Sequence, residues 1–225
     1  KYFKEKTLPS YLALMDASTI FQENKLAGNI KIAASKTISN YIMPNIYYDF
    51  LSKYKDVKLD ILTINSSSII DKILKNELDI GLIEVDTQNS NLIKEKLADD
   101  ELIVVSSDEK HPSIAFIDAI KKRWILREIG SGTREIFMSK IGEISKELDI
   151  FMQLQDFEEI KTIVLNNKNT VTVLSKVIVK KELKQKKLFE IKLKNIEFKR
   201  EFYLVYHKDK TKNLLFETFI EFIKN

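Results

Sequence analysis

Three short stretches concentrate the side chains able to hold an anion. Ala34-Ser35-Lys36-Thr37-Ile38-Ser39 offers hydroxyls and a lysine, and Asn65-Ser66-Ser67-Ser68 offers an amide and three hydroxyls. Arg127-Glu128-Ile129-Gly130-Ser131-Gly132-Thr133-Arg134 adds two glycines and two arginines. Each stretch follows a strand-like run and precedes a helix-like one. At such junctions a helix N-terminus presents unpaired N–H groups and a partial positive charge, and in open α/β sheets ligands collect there. Gly130 and Gly132 would let backbone approach a ligand closely, while Ser131, Thr133 and Arg134 supply donors. Ser, Thr and Asn are also the usual helix caps, so each junction has a purely local alternative. Three of them in one chain favour a shared polar pocket suited to an anion.

Other chemistries find little support. Gly130-Ser131-Gly132-Thr133-Arg134-Glu135 has glutamate where the dinucleotide fingerprint needs glycine, and no phosphate-loop motif occurs. Ser131 does not sit in a nucleophile elbow, and no histidine close in sequence offers itself as its base. His111 precedes proline in a turn-like segment and His207 closes a strand; neither has metal-ligand spacing. Asp99-Asp100-Glu101 and Glu158-Glu159 are adjacent carboxylates, which usually point to different faces and stay solvated. Cysteine is absent. We therefore expect no catalytic residue, no metal and no cofactor.

The elements that must carry the junctions follow from hydrophobic periodicity. Ile30, Ile32 and Ala34 predict a strand, Tyr41 to Tyr54 recurs at helical spacing, and Val57, Leu59 and Ile61 return to strand. Ile69, Ile70, Ile73 and Leu74 predict a helix, and residues 80–85 a short apolar strand, giving βαβαβ and a parallel sheet. After a strand at residues 102–105 the pattern begins again: strand 124–127, a helix from Ile136 to Leu148, a strand around Phe151, helix 157–165, strand 170–174, helix 177–183, strand 202–206 and helix 214–223. Trp124, opening a strand, is expected in the core. Residues 8–26 predict a helix ending at Gly28.

Composition agrees with a soluble α/β protein: 225 residues, 44% hydrophobic and 31% charged, with five glycines and three prolines. One domain or two small interleaved lobes suit that length, and two lobes would leave a cleft. The net charge of +4 is too mild to mark a nucleic-acid binder. Residues 176–212 hold thirteen basic and five acidic side chains, read as lysines on solvated faces rather than as an anion-facing patch. No apolar run approaches the roughly 20 residues that span a bilayer, and no secretory signal is evident. The chain begins at Lys1 rather than methionine, which fits a piece of a longer protein.

Four stretches stand in order: Leu26-Ala27-Gly28-Asn29-Ile30-Lys31-Ile32-Ala33-Ala34-Ser35, Ile42-Met43-Pro44 followed by Phe50 and Tyr54, Leu78-Asp79-Ile80-Gly81-Leu82, and Asp100-Glu101-Leu102-Ile103-Val104-Val105. Together they resemble the regulatory region of LysR-type transcription regulators. The resemblance implies an α/β fold of two Rossmann-like lobes, of the type 2 periplasmic-binding-protein kind, with the ligand cleft between them. Residues 28–107 and 202–225 would form lobe I, 108–201 lobe II, and 1–27 the end of a linker helix behind a missing N-terminal winged helix-turn-helix. It further implies effector contacts from Ser35 and Thr37, from Asn65 and Ser66, from Glu84 at the cleft edge, and from Ser131, Gly132, Thr133 and Arg134 opposite. Lys36, at the same junction, is a further effector-binding candidate; it departs from the small or polar residues common there and would add charge selectivity. The Arg-Glu-x-Gly-Ser-Gly-Thr-Arg stretch resembles regulators of sulfur assimilation and carbon fixation. The implied function is effector sensing and dimerisation, as a homodimer or homotetramer in the cytoplasm. The pairing would be antiparallel, through residues 41–64 against the helix near 134–148. The implied partners are a small anionic metabolite and, for the intact protein, DNA. A secreted solute-binding protein is the alternative.

Overall fold

In a computed structural model of the chain, residues 7, 26–109, 113, 114, 116–193 and 196–224 are described. Residues 8–25 of the expected helix and the His111-Pro112 turn fall outside them; the described end of that helix, Leu26 to Gly28, is not helical, because β1 already begins at Ala27.

The first half runs β1 (Ala27–Ala34), α1 (Lys36–Tyr41), α2 (Met43–Lys53), β2 (Asp56–Thr63), α3 (Ser66–Leu74) and β3 (Ile80–Ile83). Strand β1 pairs in parallel with both β2 and β3, as the βαβαβ reading requires. Alternation decides which face each side chain takes. Ile30, Ile32 and Ala34 turn to a core shared with Phe50, while Ala33 faces Ile69 and Ile73 of α3 on the other side. Gly28 lies within β1.

Two long strands then join the halves. β4 (Leu92–Ser106) runs antiparallel to β10 (Phe198–His207), Leu92 opposite His207 and Leu102 opposite Phe198. From Leu102 onward β4 pairs with β8 (Thr170–Ser175) instead, and with β9 (Phe189–Leu193) on its other edge. β10 also pairs with β3 through Tyr203 to Val205. The resulting strand order is β2-β1-β3-β10-β4-β8-β6-β7, with β6 at Arg123–Arg127 and β7 at Ile150–Leu154. A short β5 (Ser113–Ile114) pairs with β9.

The second half adds α4 (Phe116–Ile120), α5 (Gly132–Ile141), α6 (Phe157–Asn166) and α7 (Lys176–Lys184); α8 (Leu214–Lys224) returns to the first. Trp124 is fully buried, its indole N–H donates to Ala119 O, and its ring lies 4.9 Å from Phe137. On α8, Phe219 meets Phe50 edge to face at 4.8 Å, so the last helix seals the first core.

The structure departs from the sequence reading at several elements. The helix expected to run to Leu148 stops at Ile141, because Gly142 takes φ +57° and the chain tightens into a 3-10 turn over Gly142–Glu147. β4 begins ten residues before the expected strand, and β9 and α4 were not anticipated.

Candidate functional site

Strands β1 and β3 end side by side, with Ala34 opposite Leu82, so Ser35 and Glu84 leave the sheet together. Ser35 Oγ donates to Glu84 Oε1 at 2.6 Å. Ser66, opening α3, accepts the Glu84 backbone N–H at 3.3 Å. From the other half, the first turn of α5 meets the same carboxylate: Thr133 Oγ1 donates to Glu84 Oε2 at 3.2 Å. Glycine is required just before it. A Cβ on Gly132 would stand 2.7 Å from Glu84 Cβ and 3.1 Å from Ser66 Oγ, so any side chain there would push α5 off the first half.

The charge that balances Glu84 comes from β10. Arg200 Nη1 donates to Glu84 Oε2 at 2.8 Å and lies 3.0 Å from Thr133 Oγ1, while Nε reaches Asp100 Oδ2 on β4 at 2.6 Å. Ser175 Oγ donates to the other Asp100 oxygen at 2.7 Å. Arg200 and Glu84 are 6% and 2% exposed, so this ion pair is shielded from water. Burial would raise the Glu84 carboxyl, but Arg200, the Ser35 hydrogen bond and more distant Arg127 outweigh it and hold it below the ordinary glutamate value. The Thr37 hydroxyl also faces this carboxylate and adds to the effect.

Among the described residues three buried donors near this network have no hydrogen-bond partner: Thr37 Oγ1, Ser131 Oγ and Arg200 Nη2. Glu84 and Arg200 also border a groove of about 620 Å³ whose walls carry Asp86, Asp99, Glu135, Lys140 and Lys199.

Of the residues singled out in sequence, Ser35, Thr37, Ser66, Glu84, Ser131, Gly132 and Thr133 converge. Asn65 instead caps its own helix, accepting Ser68 N–H at 2.9 Å, and its amide packs against Gly130, whose φ of +86° makes the turn into α5. Lys36 stands at the rim and reaches across to Gln155 O at 2.7 Å. Arg134 turns back into its own half, where Nη1 donates to Arg127 O at 2.9 Å and to Gln153 Oε1. Arg200 was missed, hidden within the basic stretch read as solvated. Its signal lay in Phe198, Arg200, Phe202 and Leu204, a period of two that sets an arginine on an apolar face. Among the described residues no group of three or more His, Cys, Asp or Glu could hold a metal ion.

Two α/β halves joined by a shared strand pair, with helix N-termini from both closing on one polar network, define a periplasmic-binding-protein-like effector-binding domain. The LysR substrate binding domain model matches residues 23–225, and the chain belongs to that family, the effector-sensing part of LysR-type transcription regulators. It is 28% identical over 205 residues to the HTH-type transcriptional regulator CysL of Bacillus subtilis, covering 88% of this chain and 67% of that protein. It is 27% identical over 221 residues to YeiE of Escherichia coli K12, covering 95% and 74%. The fold matches the Synechocystis CcmR regulatory domain in complex with 2-PG, with TM-score 0.76, 22% identity and coverage of 88% and 96%. It also matches the effector-binding domain of QuiR in complex with shikimate, with TM-score 0.75, 19% identity and the same coverage. These sequence relatives are regulators rather than enzymes, and they leave the solute-binding alternative with less support.

Proposed function

We propose that the domain senses a small anionic metabolite held between two lobes, lobe I built around β1, β2 and β3 and lobe II around β6, β7 and β8, which part where β4 and β10 change partners. The observation that carries this reading is the buried network of Ser35, Glu84, Arg200 and Thr133, which ties the halves together and leaves three donors unsatisfied beside it. In this reading a ligand enters where the lobes part at that network. A ligand that prefers one lobe arrangement then shifts its population, and only a difference in affinity between arrangements can do so. The intact regulator would pass that shift to DNA, in the cytoplasm.

Dimerisation is part of the same reading. Tyr48, Ile61 and Leu62 are exposed on α2 and β2, at one end of the sheet, and Ile144, Phe151 and Met152 at the other. Antiparallel pairing of two copies would bring one set onto the other. The assignment of the cleft is tested by a thermal-shift screen with phosphate, sulfate, thiosulfate, phosphorylated metabolites and small carboxylates, because a ligand bound only by the folded state raises the melting temperature. Ser131→Ala, which removes a buried hydroxyl without a hydrogen-bond partner among the described residues, should then weaken the hit by roughly 1.5–3 kcal/mol, the worth of a hydrogen bond to a charge. Unchanged affinity by calorimetry would remove Ser131 from the site.

A further inference from the structure

The two halves meet on both faces of the sheet, and the two contacts differ in kind. On one face α3 meets α5. Ile136 of α5 packs against the core that holds Ile69, Ile73 and Val85. The approach is so close that a Cβ on Gly132 would stand 2.7 Å from Glu84 Cβ, and one on Gly130 3.2 Å from Asn65 Nδ2. On the other face long side chains make the bridges. Lys36 Nζ donates to Gln155 O at 2.7 Å, just before α6. Tyr41, at the end of α1, sets its ring 5.6 Å from that of Phe157 and donates its hydroxyl to Glu158 Oε1 at 2.8 Å. A residue of the first half thus packs against the core beneath α6 and α7. Glu158 is held in turn by Lys161 at 2.9 Å, and Lys161 by Glu182 of α7 at 3.1 Å. Parting closely packed elements forfeits many dispersion contacts and exposes apolar surface. A bridge that ends on a half-exposed carboxylate, as Glu158 is, exchanges its partner for water at little net cost.

We propose that Tyr41 is a releasable latch: the halves part by letting go where α1 meets α6, and pivot where α3 meets α5. The proposal rests on the two-lobe reading above and adds to it the direction in which the cleft opens. Ser35, just before the same α1, donates to Glu84. Release of Tyr41 therefore frees one end of α1 while its other end still holds the buried network. A six-residue helix, Lys36–Tyr41, then ties the state of the cleft to the state of the latch.

The chain has no cysteine, so introduced pairs can carry spin labels without competing sites. Ser52→Cys with Lys168→Cys, on α2 and just after α6, spans the latched face. Lys75→Cys with Lys140→Cys, just after α3 and near the end of α5, spans the other; all four side chains are exposed. Pulsed electron spin resonance then reads each distance in the parent chain, in Tyr41→Ala and in Tyr41→Phe. The expected result is that Tyr41→Ala lengthens the first pair by more than about 2 Å and leaves the second unchanged. Tyr41→Phe keeps the ring and loses the bond to Glu158, so it should lengthen the first pair by less; it decides the matter if Tyr41→Ala folds poorly. Equal lengthening of both pairs, or lengthening of the second alone, would overturn the latch and leave a two-lobe domain that opens another way. No change in either pair would overturn the latch and the parting of the lobes together.

Discussion

Six helices begin after a Ser, Asn or Asp, and they divide into two sets. Asn65, Asp156, Ser175 and Asn213 each accept a backbone N–H from the first turn of the helix they precede, at α3, α6, α7 and α8. Ser35 and Ser131, before α1 and α5, make no such cap. Ser35 gives its proton to Glu84 instead, and among the described residues Ser131 has no partner. The same residue type in the same local position is structural where its own helix uses it and available to another group where it does not. Ser175 serves both ends, capping Val177 N–H while donating to Asp100.

The contrast can be tested in order of expected effect. Arg200→Met leaves Glu84 and Asp100 buried without their shared cation and should destabilise the domain by about 3–5 kcal/mol in urea unfolding. A loss below about 1 kcal/mol would mean that the uncapped junctions do not depend on β10. The same network predicts acid sensitivity. Because Glu84 is held below its unfolded value of about 4.3, its contribution is present above that pH and is lost as pH falls through the lower folded value. Glu84→Gln should flatten that part of the stability profile.

Ser131→Ala should reduce affinity for the ligand found in the thermal-shift screen by roughly 1.5–3 kcal/mol while changing stability by less than about 0.5 kcal/mol, since no cap is lost. Asn65→Ala should do the opposite, costing about 1 kcal/mol of stability with affinity nearly unchanged. If both serine and asparagine variants lose stability alike, the two sets are one. Lys36→Met removes only a rim contact to Gln155 O and should shift stability by about 0.5 kcal/mol or less.

Much of this was legible because apolar alternation survives wherever one face of a strand meets a core. Ile30, Ile32 and Ala34 announce β1, and the three donor-rich junctions follow from where strands give way to helices. The first ten residues of β4 carry Lys94, Glu95, Lys96, Asp99, Asp100 and Glu101, and they are strand because β10 pairs with them rather than because of their own pattern. Arg200 was lost for a related reason. Of the basic residues around it, Lys199, Lys192 and Lys187 are exposed as a charge count suggests, whereas its own burial depends on Asp100 and Glu84, distant in sequence. Local pattern located the hydroxyls; it did not reveal which of them cap.

The strand pair β4 and β10 also bears on how the chain is made. β3 lies between β1 and a strand roughly 120 residues later, and the core under β1 is closed by Phe216 and Phe219 of α8. During synthesis, therefore, the first half cannot complete its sheet or its core until residues 198–224 have left the ribosome, while β6, α5, β7, α6 and β8 emerge in between and can associate with one another. A nascent chain arrested before Phe198 should hold an early half that is still readily proteolysed, and release of the last thirty or so residues should protect both halves together.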